Sequence, residues 1–557
     1  MITRLQHGHL PQATLDAALT TQLAAKLKAN NGLRPLAVGT AIRRLTATAI
    51  HNTYKQQIHT AAGKHQYGVG RPNGPDQIIK ILQQRYYEHP THTIINLDIA
   101  NAFTSLPRQH LISTTSTQCP PLAPTTRTWY ARPSVMRWRD NTGTTHKIFT
   151  DAGVAQGCAL SAAIYAIGTA TTNANIQQAL NDTIPDSQTP TPATKPRIYA
   201  YLDDTYLLVP TVHAQAALAT AQQHLQQIGL KLNTRKTAMT TTGPHHPQCR
   251  AHYKPNLHVM GVTHALLKNL EDELQEDTFA PGAPLLPTDD ADAILDAQQR
   301  FTNALLRLHN KQLLKPSTTM TLLRNFHNNV PVHRLRAATT SDTIASRWDK
   351  LLHNTVATIL DTPDTITLHQ LTHLPTHLGG LGIHDVSVRR HVAFYSAWRQ
   401  TAYHAHAELS STTEHDWQLN NPTTRNELLQ AIAKIQPLTD TTLDVDWTHW
   451  IGTKPQHTQK KILLEAYEKT QSALLDTLTP TQQAITRSAG GKGAAAWLYP
   501  PPNATTYMPR KHYVTALRYR THTPITSTTP TAKPRTSTAS AVQSSAGGGT
   551  HTKASDA

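Results

Sequence analysis

Cysteine is scarce in this chain: Cys119, Cys158 and Cys249 are the only three in 557 residues, and they lie far apart. That spacing excludes a disulfide framework and a CxxC zinc pattern, and it fits a reducing compartment. Long apolar runs are missing too. No stretch approaches the roughly 20 residues that a bilayer-spanning helix needs. The opening MITRLQHGHLPQ has no continuous apolar segment after its first charge, so it is no secretory signal. The expected location is the cytoplasm or the nucleus, with no membrane partner. Acidic residues are few, 35 against 52 Lys and Arg, for a formal charge of +17 and a pI of about 9.7. A basic surplus of that size suits a polyanionic partner, because bound Lys and Arg release counterions from phosphates. A generally basic soluble protein is the blander reading. The 33 histidines are scattered, no His/Cys quartet has metal-site spacing, and most of them read as surface polar groups.

What is present is a run of alternating elements. The N-terminal segment is helix-like as far as Asn30, NNG breaks it, LRPLAV reads as extended, and a helix is predicted over Ala41 to His59. Gly63 to Gln77 is Gly-rich and reads as a loop, followed by a helix in IIKILQQRYY. HTIINLDIA is a short Ile-rich run with one charge near its end, the pattern of a buried strand. A helix starts near Leu160, and the polar, Pro-rich NDTIPDSQTPTPATKP after it reads as a surface loop. RIYAYLDDTYLLV has β-branched and aromatic residues on both sides of an acidic pair, which predicts a hairpin with the pair at its turn. Ala214, Leu218, Ala221, Leu225 and Ile228 form one face of a helix closed by Gly229, and LKLNTRKTAM reads as a last strand. From about Asp290 the pattern is largely helical, interrupted by LPTHLGGLGIHD. The tail after about Thr521 is too poor in large apolar residues to fold.

The order β-α-β-β-α-β is the split βαβ pattern. With a right-handed crossover, strands one and two are parallel and strand three fits between them, running the other way. Asp98, near the end of strand one, would then sit beside Asp203 and Asp204 at the hairpin turn. Carboxylates so gathered repel one another unless cations neutralise them. Hard oxygen ligands select Mg²⁺, and two such ions about 3.5–4 Å apart can activate an attacking hydroxyl and stabilise a leaving pyrophosphate oxygen. A single Asp in a turn is more often a cap; the predicted convergence is what makes the chemistry worth proposing.

Several segments carry a more specific resemblance. LDIANAF, AQGCALS (Ala155 to Ser161), YLDD (Tyr201 to Asp204), GLKLNTRKT (Gly229 to Thr237) and VMGVT (Val259 to Thr263) resemble, in order, motifs A to E of reverse transcriptases. Leu202 stands where Ala is most usual. LRPLAVGTAIRRL resembles the fingers motif, and QYGVGRPNGPDQII the loop before motif A in enzymes of non-LTR retrotransposons. LPTHLGGLGI and SAGGKGAAAWL resemble segments downstream of the polymerase core in the same group. The resemblance covers roughly Leu33 to Arg520.

It implies an α+β right-hand polymerase. The fingers would span 1–92 (short, as in an N-terminally incomplete copy), the palm 93–270 and a helical thumb and connection 271–400. A helical C-terminal region over 401–520 and a disordered tail over 521–557 would follow. The implied partners are an RNA template, a DNA primer and dNTPs; the cofactor is a pair of Mg²⁺ ions, with Mn²⁺ as a substitute. By the resemblance, Asp98 and Asp203 ligate both metals with help from the Ile99 carbonyl, and Asp204 is the auxiliary carboxylate. Phe103 would be the steric gate against a ribose 2′-OH, with ordinary core packing as its plain alternative. Arg34 would contact the triphosphate, Gln156 and Gly157 would line the nucleotide pocket, and Lys236 would lie near the pyrophosphate as a cation or proton donor. Arg43 and Arg44 would touch template phosphates or fold the fingers. No CCHC knuckle, endonuclease or RNase H carboxylate set is visible in the sequence, so target cleavage would need a separate endonuclease. The rivals are a group II intron type or domesticated enzyme of the same fold, and a catalytically decayed nucleic-acid-binding remnant. A zinc- or histidine-dependent hydrolase is more distant.

Overall fold

Strand residues that alternate between two buried faces need cover on both sides, and the central sheet has it. In the computed structural model, the residues described are 1–27, 33–89, 91–184, 195–241, 243, 245–254, 256–260, 262–266, 285–287, 291–409, 421–455, 458–500 and 508–525. Most of the expected tail and most of the Pro-rich insertion lie outside them. The chain opens with short helices at Ile2–Gln6 and Gln12–Leu19, then strands β1 (Thr21–Leu27) and β2 (Leu33–Gly39). Of the helix expected as far as Asn30, the last three residues lie outside those described, and Thr21–Leu27 is instead a strand. Each of its seven residues is matched across the hairpin by one from LRPLAVG, and pairing outweighs the local helix preference of Ala, Leu and Lys. The predicted helix Ala41–His59 exists but breaks at Tyr54 into Ala41–Thr53 and Lys55–Ala62. The helix after the Gly-rich loop begins at Gly74, with Pro in its first turn, and runs to Glu88.

The next strand is β3 (His92–Leu97), followed, after intervening helices, by a hairpin, β4 (Ser134–Arg139) and β5 (Thr145–Thr150). β4 pairs with β1, giving a four-stranded sheet in the order β2-β1-β4-β5 that the sequence reading did not contain. The Ser161–Thr183 helix leads to β6 (Arg197–Tyr201) and β7 (Asp204–Pro210), and the Ala214–Gln227 helix leads to β8 (Ala238–Thr240). These strands form the order β6-β7-β3-β8, with β7 antiparallel to both neighbours. β3 and β6 therefore run parallel with β7 reversed between them, the arrangement expected of the split βαβ pattern. The last strand is shorter than LKLNTRKTAM implied: Leu232 makes only an isolated bridge to Ile99, a turn follows, and pairing resumes at Ala238.

Ile95, Leu97, Ile198 and Leu207 face one apolar core with Ile164, Tyr165 and Leu225 of the two covering helices. Ile94, Tyr199, Tyr206 and Leu208 face another, shared with Ile78, Leu82 and Tyr86 of the Gly74–Glu88 helix and with Phe394 and Trp398. Beyond the sheet the architecture is helical, from Ala291–Asn310 to Arg510–Arg520, which makes the whole mixed α+β. Packing continues past the expected start of the tail: Thr521 and Thr523 are buried, and Arg518 donates to the Ile525 carbonyl. Most described histidines are at least partly exposed, but His92, His309, His327, His353 and His373 are buried. Among the described residues no helix is long and apolar enough to cross a membrane.

Candidate active site at the acidic turn

The register of the central sheet decides what meets what. Leu97 lies opposite Thr205, and Tyr201 opposite Asp204. The β3–β7 ladder thus ends at Leu97, one residue before Asp98, and the β6–β7 ladder ends at Asp204, so the end of β3 lies beside the Tyr201–Asp204 turn. Asp98 and Asp203 are half-buried; Asp204 is exposed.

Each side of this arrangement is held by backbone contacts. The Asp98 carbonyl accepts from Asn233 N at 2.7 Å, Asp98 N donates to Thr237 Oγ1 at 3.5 Å, and Ala100 N donates to the Lys231 carbonyl at 2.8 Å. The turn between Asn233 and Thr237, which cost the last strand its continuity, is therefore what clamps Asp98. Lys236 is exposed on that turn, with its N–H on the Asn233 carbonyl. On the other side, Leu202 takes a left-handed backbone (φ +58°) in the two-residue hairpin loop. Such a conformation costs an L-residue about 1–2 kcal/mol. Gln66, fully buried, offsets it: its Oε1 accepts from Leu202 N at 2.7 Å and from Gly68 N at 2.9 Å. Tyr67 N and Ala200 N extend the same seam, donating to the Ala200 and His65 carbonyls. The sequence reading missed Gln66. It saw QYG only as part of a loop, and nothing in a loop's composition says that it will become an edge against β6.

Three phenols report the local field. Burial, and then the negative charge of Asp203 and Asp204, hold the Tyr165 and Tyr206 hydroxyls above their ordinary range, and burial with Asp204 does the same for Tyr201. Tyr206 also anchors motif E: its hydroxyl accepts from Met260 N at 2.9 Å, at the turn between the strands Asn256–Val259 and Val262–Leu266. Hard oxygen donors in a negative field are a donor set that fits a divalent cation such as Mg²⁺.

The other residues of interest flank this turn. Phe103 is half-buried, stacked on Tyr165 with ring centroids 4.6 Å apart and planes 15° apart. Its carbonyl accepts from Val154 N at 2.8 Å, joining motif A to the segment that leads into motif B. There the Gln156 carbonyl accepts from Ala37 N at 2.7 Å, and Gln156 lines a cavity of about 230 Å³ with Pro35, Ala37, Arg43, Arg108 and Phe149. Gly157 is exposed beside it. Arg108, unremarked in the sequence, ties this region together by donating to Gly153 O, Arg132 O, Ser134 Oγ and Thr150 Oγ1. Burial lowers its pKa, chiefly because the guanidinium has left water. The backbone of Arg34 lies in β2 opposite Lys26, and its side chain is outside the described residues.

The arginine pair separates. Arg43 was expected to touch template phosphates or fold the fingers; at 1% exposure it cannot face a nucleic-acid backbone. Its Nη1 donates to the Leu19 carbonyl at 2.5 Å and its guanidinium lies 4.9 Å from the Trp129 ring centroid. It is a fold residue. Arg44, its neighbour in sequence, is exposed.

The two downstream segments, far apart in sequence, meet. A Cβ added to Gly490 would lie 2.6 Å from the His377 carbonyl oxygen, and Arg520 donates to the Gly380 and Thr376 carbonyls.

None of the curated proteins matches the chain. Solved structures similar to it include apo telomerase from Candida tropicalis (10% identity over 79% of this chain and 69% of that one, TM-score 0.39). Another is telomerase from Candida albicans in complex with the TWJ fragment of telomeric RNA (11% identity, 80% and 68%, TM-score 0.40). A third is the Candida tropicalis apo enzyme truncated from its C-terminal domain, at 12% identity and TM-score 0.33; 44% of this chain matches it and spans about half, 53%, of its length. The family model described as reverse transcriptase (RNA-dependent DNA polymerase) matches residues 26–264, from β1 through the motif E hairpin. The chain therefore carries a reverse transcriptase domain, and the acidic turn lies inside it.

Proposed function

We propose that this protein is an RNA-directed DNA polymerase that extends a DNA 3′-OH on an RNA template with dNTPs, in the manner of non-LTR retrotransposon enzymes. The observation that carries the proposal is the antiparallel register, Leu97 opposite Thr205 and Tyr201 opposite Asp204, which brings the end of the strand before Asp98 to the turn that holds Asp203 and Asp204. In the reaction the primer 3′-oxygen forms a bond to the α-phosphorus, the bond to the β-phosphate oxygen breaks, and pyrophosphate leaves. Asp98 and Asp203, with the Ile99 carbonyl assisting and Asp204 as auxiliary, would hold two Mg²⁺ ions. When bound, such ions ease attack by the hydroxyl and stabilise the leaving oxygen.

The chain's own groups would do the rest. Phe103, backed by Tyr165, would occupy the space of a 2′-OH. Gln156 and Gly157 would border the nucleotide, and Arg34 would meet its phosphates. Lys236, on the turn clamped to Asp98, would stand as cation or proton donor for the pyrophosphate. Arg44 is the exposed candidate for template phosphate. The meeting of LPTHLGGLGI with SAGGKGAAAWL supports the non-LTR lineage, since both resemble segments of that group and here they form one packed unit. A separate endonuclease would supply the nick.

Primer extension on poly(rA)/oligo(dT) with Mg²⁺ tests the reading. Activity should be present in the natural chain and vanish in Asp203→Asn. Undiminished extension by Asp203→Asn would remove the assignment, and an inert natural chain would favour the decayed remnant.

A further inference from the structure

Histidine is abundant in this sequence and one group of it converges away from the acidic turn. His353 projects from the Asp342–Leu360 helix; His369 and His373 lie one turn apart on the Ile366–His373 helix. One ligand atom from each of the three falls within 4.8 Å of the others. His353 and His373 are buried, and His369 is exposed.

The hydrogen bonding fixes which nitrogens face inward. His373 Nδ1 lies 2.6 Å from the Ile383 carbonyl, an acceptor only, so Nδ1 carries the proton and Nε2 presents its lone pair. That Nε2 lies 2.5 Å from His353 Nε2. A ring whose outer nitrogen is satisfied by a backbone carbonyl while its inner nitrogen points at another imidazole has the arrangement that orients metal-bound histidines. Neutral imidazoles are borderline donors. They favour Zn²⁺, Cu²⁺ or Ni²⁺ over Mg²⁺, which prefers oxygen. Zn–N distances of about 2.0–2.1 Å in a tetrahedral site put neighbouring nitrogens roughly 3.4 Å apart. The inner pair would have to open by somewhat less than 1 Å, a rotamer adjustment. Exposed His369 supplies a path for entry and leaves the fourth position to water. Asp364 and Asp385 lie within electrostatic reach of His369, and Asp349 of His373, so acidic charge is at hand to offset a dication.

We propose that His353, His369 and His373 bind one Zn²⁺ ion that pins these two helices together just before the LPTHLGGLGI segment. The site is separate from the acidic turn and takes a different class of metal, so it stands or falls independently of the polymerase reading.

The test uses the full chain, stripped with chelator, and the His369→Ala variant, chosen because His369 is exposed and its loss leaves the fold standing. Co²⁺ is titrated as a spectroscopic probe and Zn²⁺ as competitor, with bound metal counted after gel filtration. The natural chain should show the intense visible bands of four-coordinate Co²⁺, lose them to Zn²⁺ but not to Mg²⁺, and melt at a higher temperature with Zn²⁺. In His369→Ala the bands should vanish and zinc affinity should fall by at least about tenfold. His353→Gln should do the same, with its fold checked by circular dichroism. Equal zinc retention by the natural chain and His369→Ala, an octahedral Co²⁺ spectrum, or displacement by Mg²⁺ would each overturn the proposal.

Discussion

Gly153 packs against the Phe103–Thr104 peptide, and adding one methyl group there would shift Phe103, the proposed gate, without altering any side chain of the site. Its backbone is left-handed (φ +63°), and a Cβ would lie 2.3 Å from the Phe103 carbonyl oxygen and 2.4 Å from the Thr104 Cα. Ordinary contact begins near 3.4 Å, so the 103–104 peptide must retreat by about 1 Å. Two hydrogen bonds oppose that retreat, Gly153 N to the Leu106 carbonyl at 2.9 Å and Val154 N to the Phe103 carbonyl at 2.8 Å. The left-handed φ costs Ala about 1–2 kcal/mol and each strained hydrogen bond about 1 kcal/mol. Gly153→Ala should therefore lose about 3 kcal/mol of stability, read as a lower Tm. Because Phe103 travels with the peptide, kcat/KM for dNTPs should fall about 100-fold, the cost of a 1 Å misplacement at a reacting centre. Gly452→Ala is the control, since a Cβ there meets nothing within 4 Å. A Gly153→Ala protein with the natural Tm and natural kcat/KM would refute the tight apposition of these two segments.

Phe103→Ala should raise rNTP incorporation relative to dNTP; an unaltered ratio in primer extension would leave the ring as packing for Tyr165 alone. Lys80 offers a pH test. Its ammonium is fully buried, donates to the Ala337 carbonyl at 2.6 Å and lies 4.5 Å from the Phe394 ring centroid, and burial lowers its pKa to about 7. The unfolded chain therefore binds more protons between about pH 7 and 10.5, and stability rises across that window, by about 5 kcal/mol for the whole shift. Lys80→Met should be favoured over the natural residue most at about pH 6 and progressively less towards about pH 10; parallel Tm-against-pH curves would contradict this. For binding, affinity for an RNA/DNA duplex should fall steeply with salt, and Arg44→Ala should reduce the log–log slope by about 1. Arg43→Ala should lower Tm and leave that slope alone; the opposite pattern would reverse the roles of the two arginines.

The central sheet was legible because its strands carry their own signals. Alternation around an acidic pair marks a hairpin, a helical face ending at Gly229 marks the crossover back, and the handedness of the first crossover leaves one position for β7. What could not be read locally was decided by partners. TQLAAKL favours helix by composition and becomes β1 because β2 offers seven matching positions. The β4–β5 hairpin did leave a signal, the DNTG turn between two alternating runs, and Asp140 there accepts from Thr142 N and Thr144 N. Pattern reading passed over it. The histidine triad was invisible for another reason: its ligands come from two helices, and the spacing between helices is not written in either one.

The site itself divides along the same line. The identity of Asp98, Asp203 and Asp204 is a property of short words in the sequence, and so is the guess at their chemistry. Their positions are not. Asp98 is held through its carbonyl and its N–H by Asn233 and Thr237, and Leu202 is held in an unfavourable backbone by a glutamine 136 residues away. Each of those bonds is made by a residue whose type would suit any loop. Carboxylates that repel one another must be kept at a fixed distance by something other than themselves, and here that work falls on hydrogen bonds from two separate segments, 231–237 and the loop at Gln66. The candidate reacting groups are visible in the sequence; the groups that hold them still become visible only when the chain has folded.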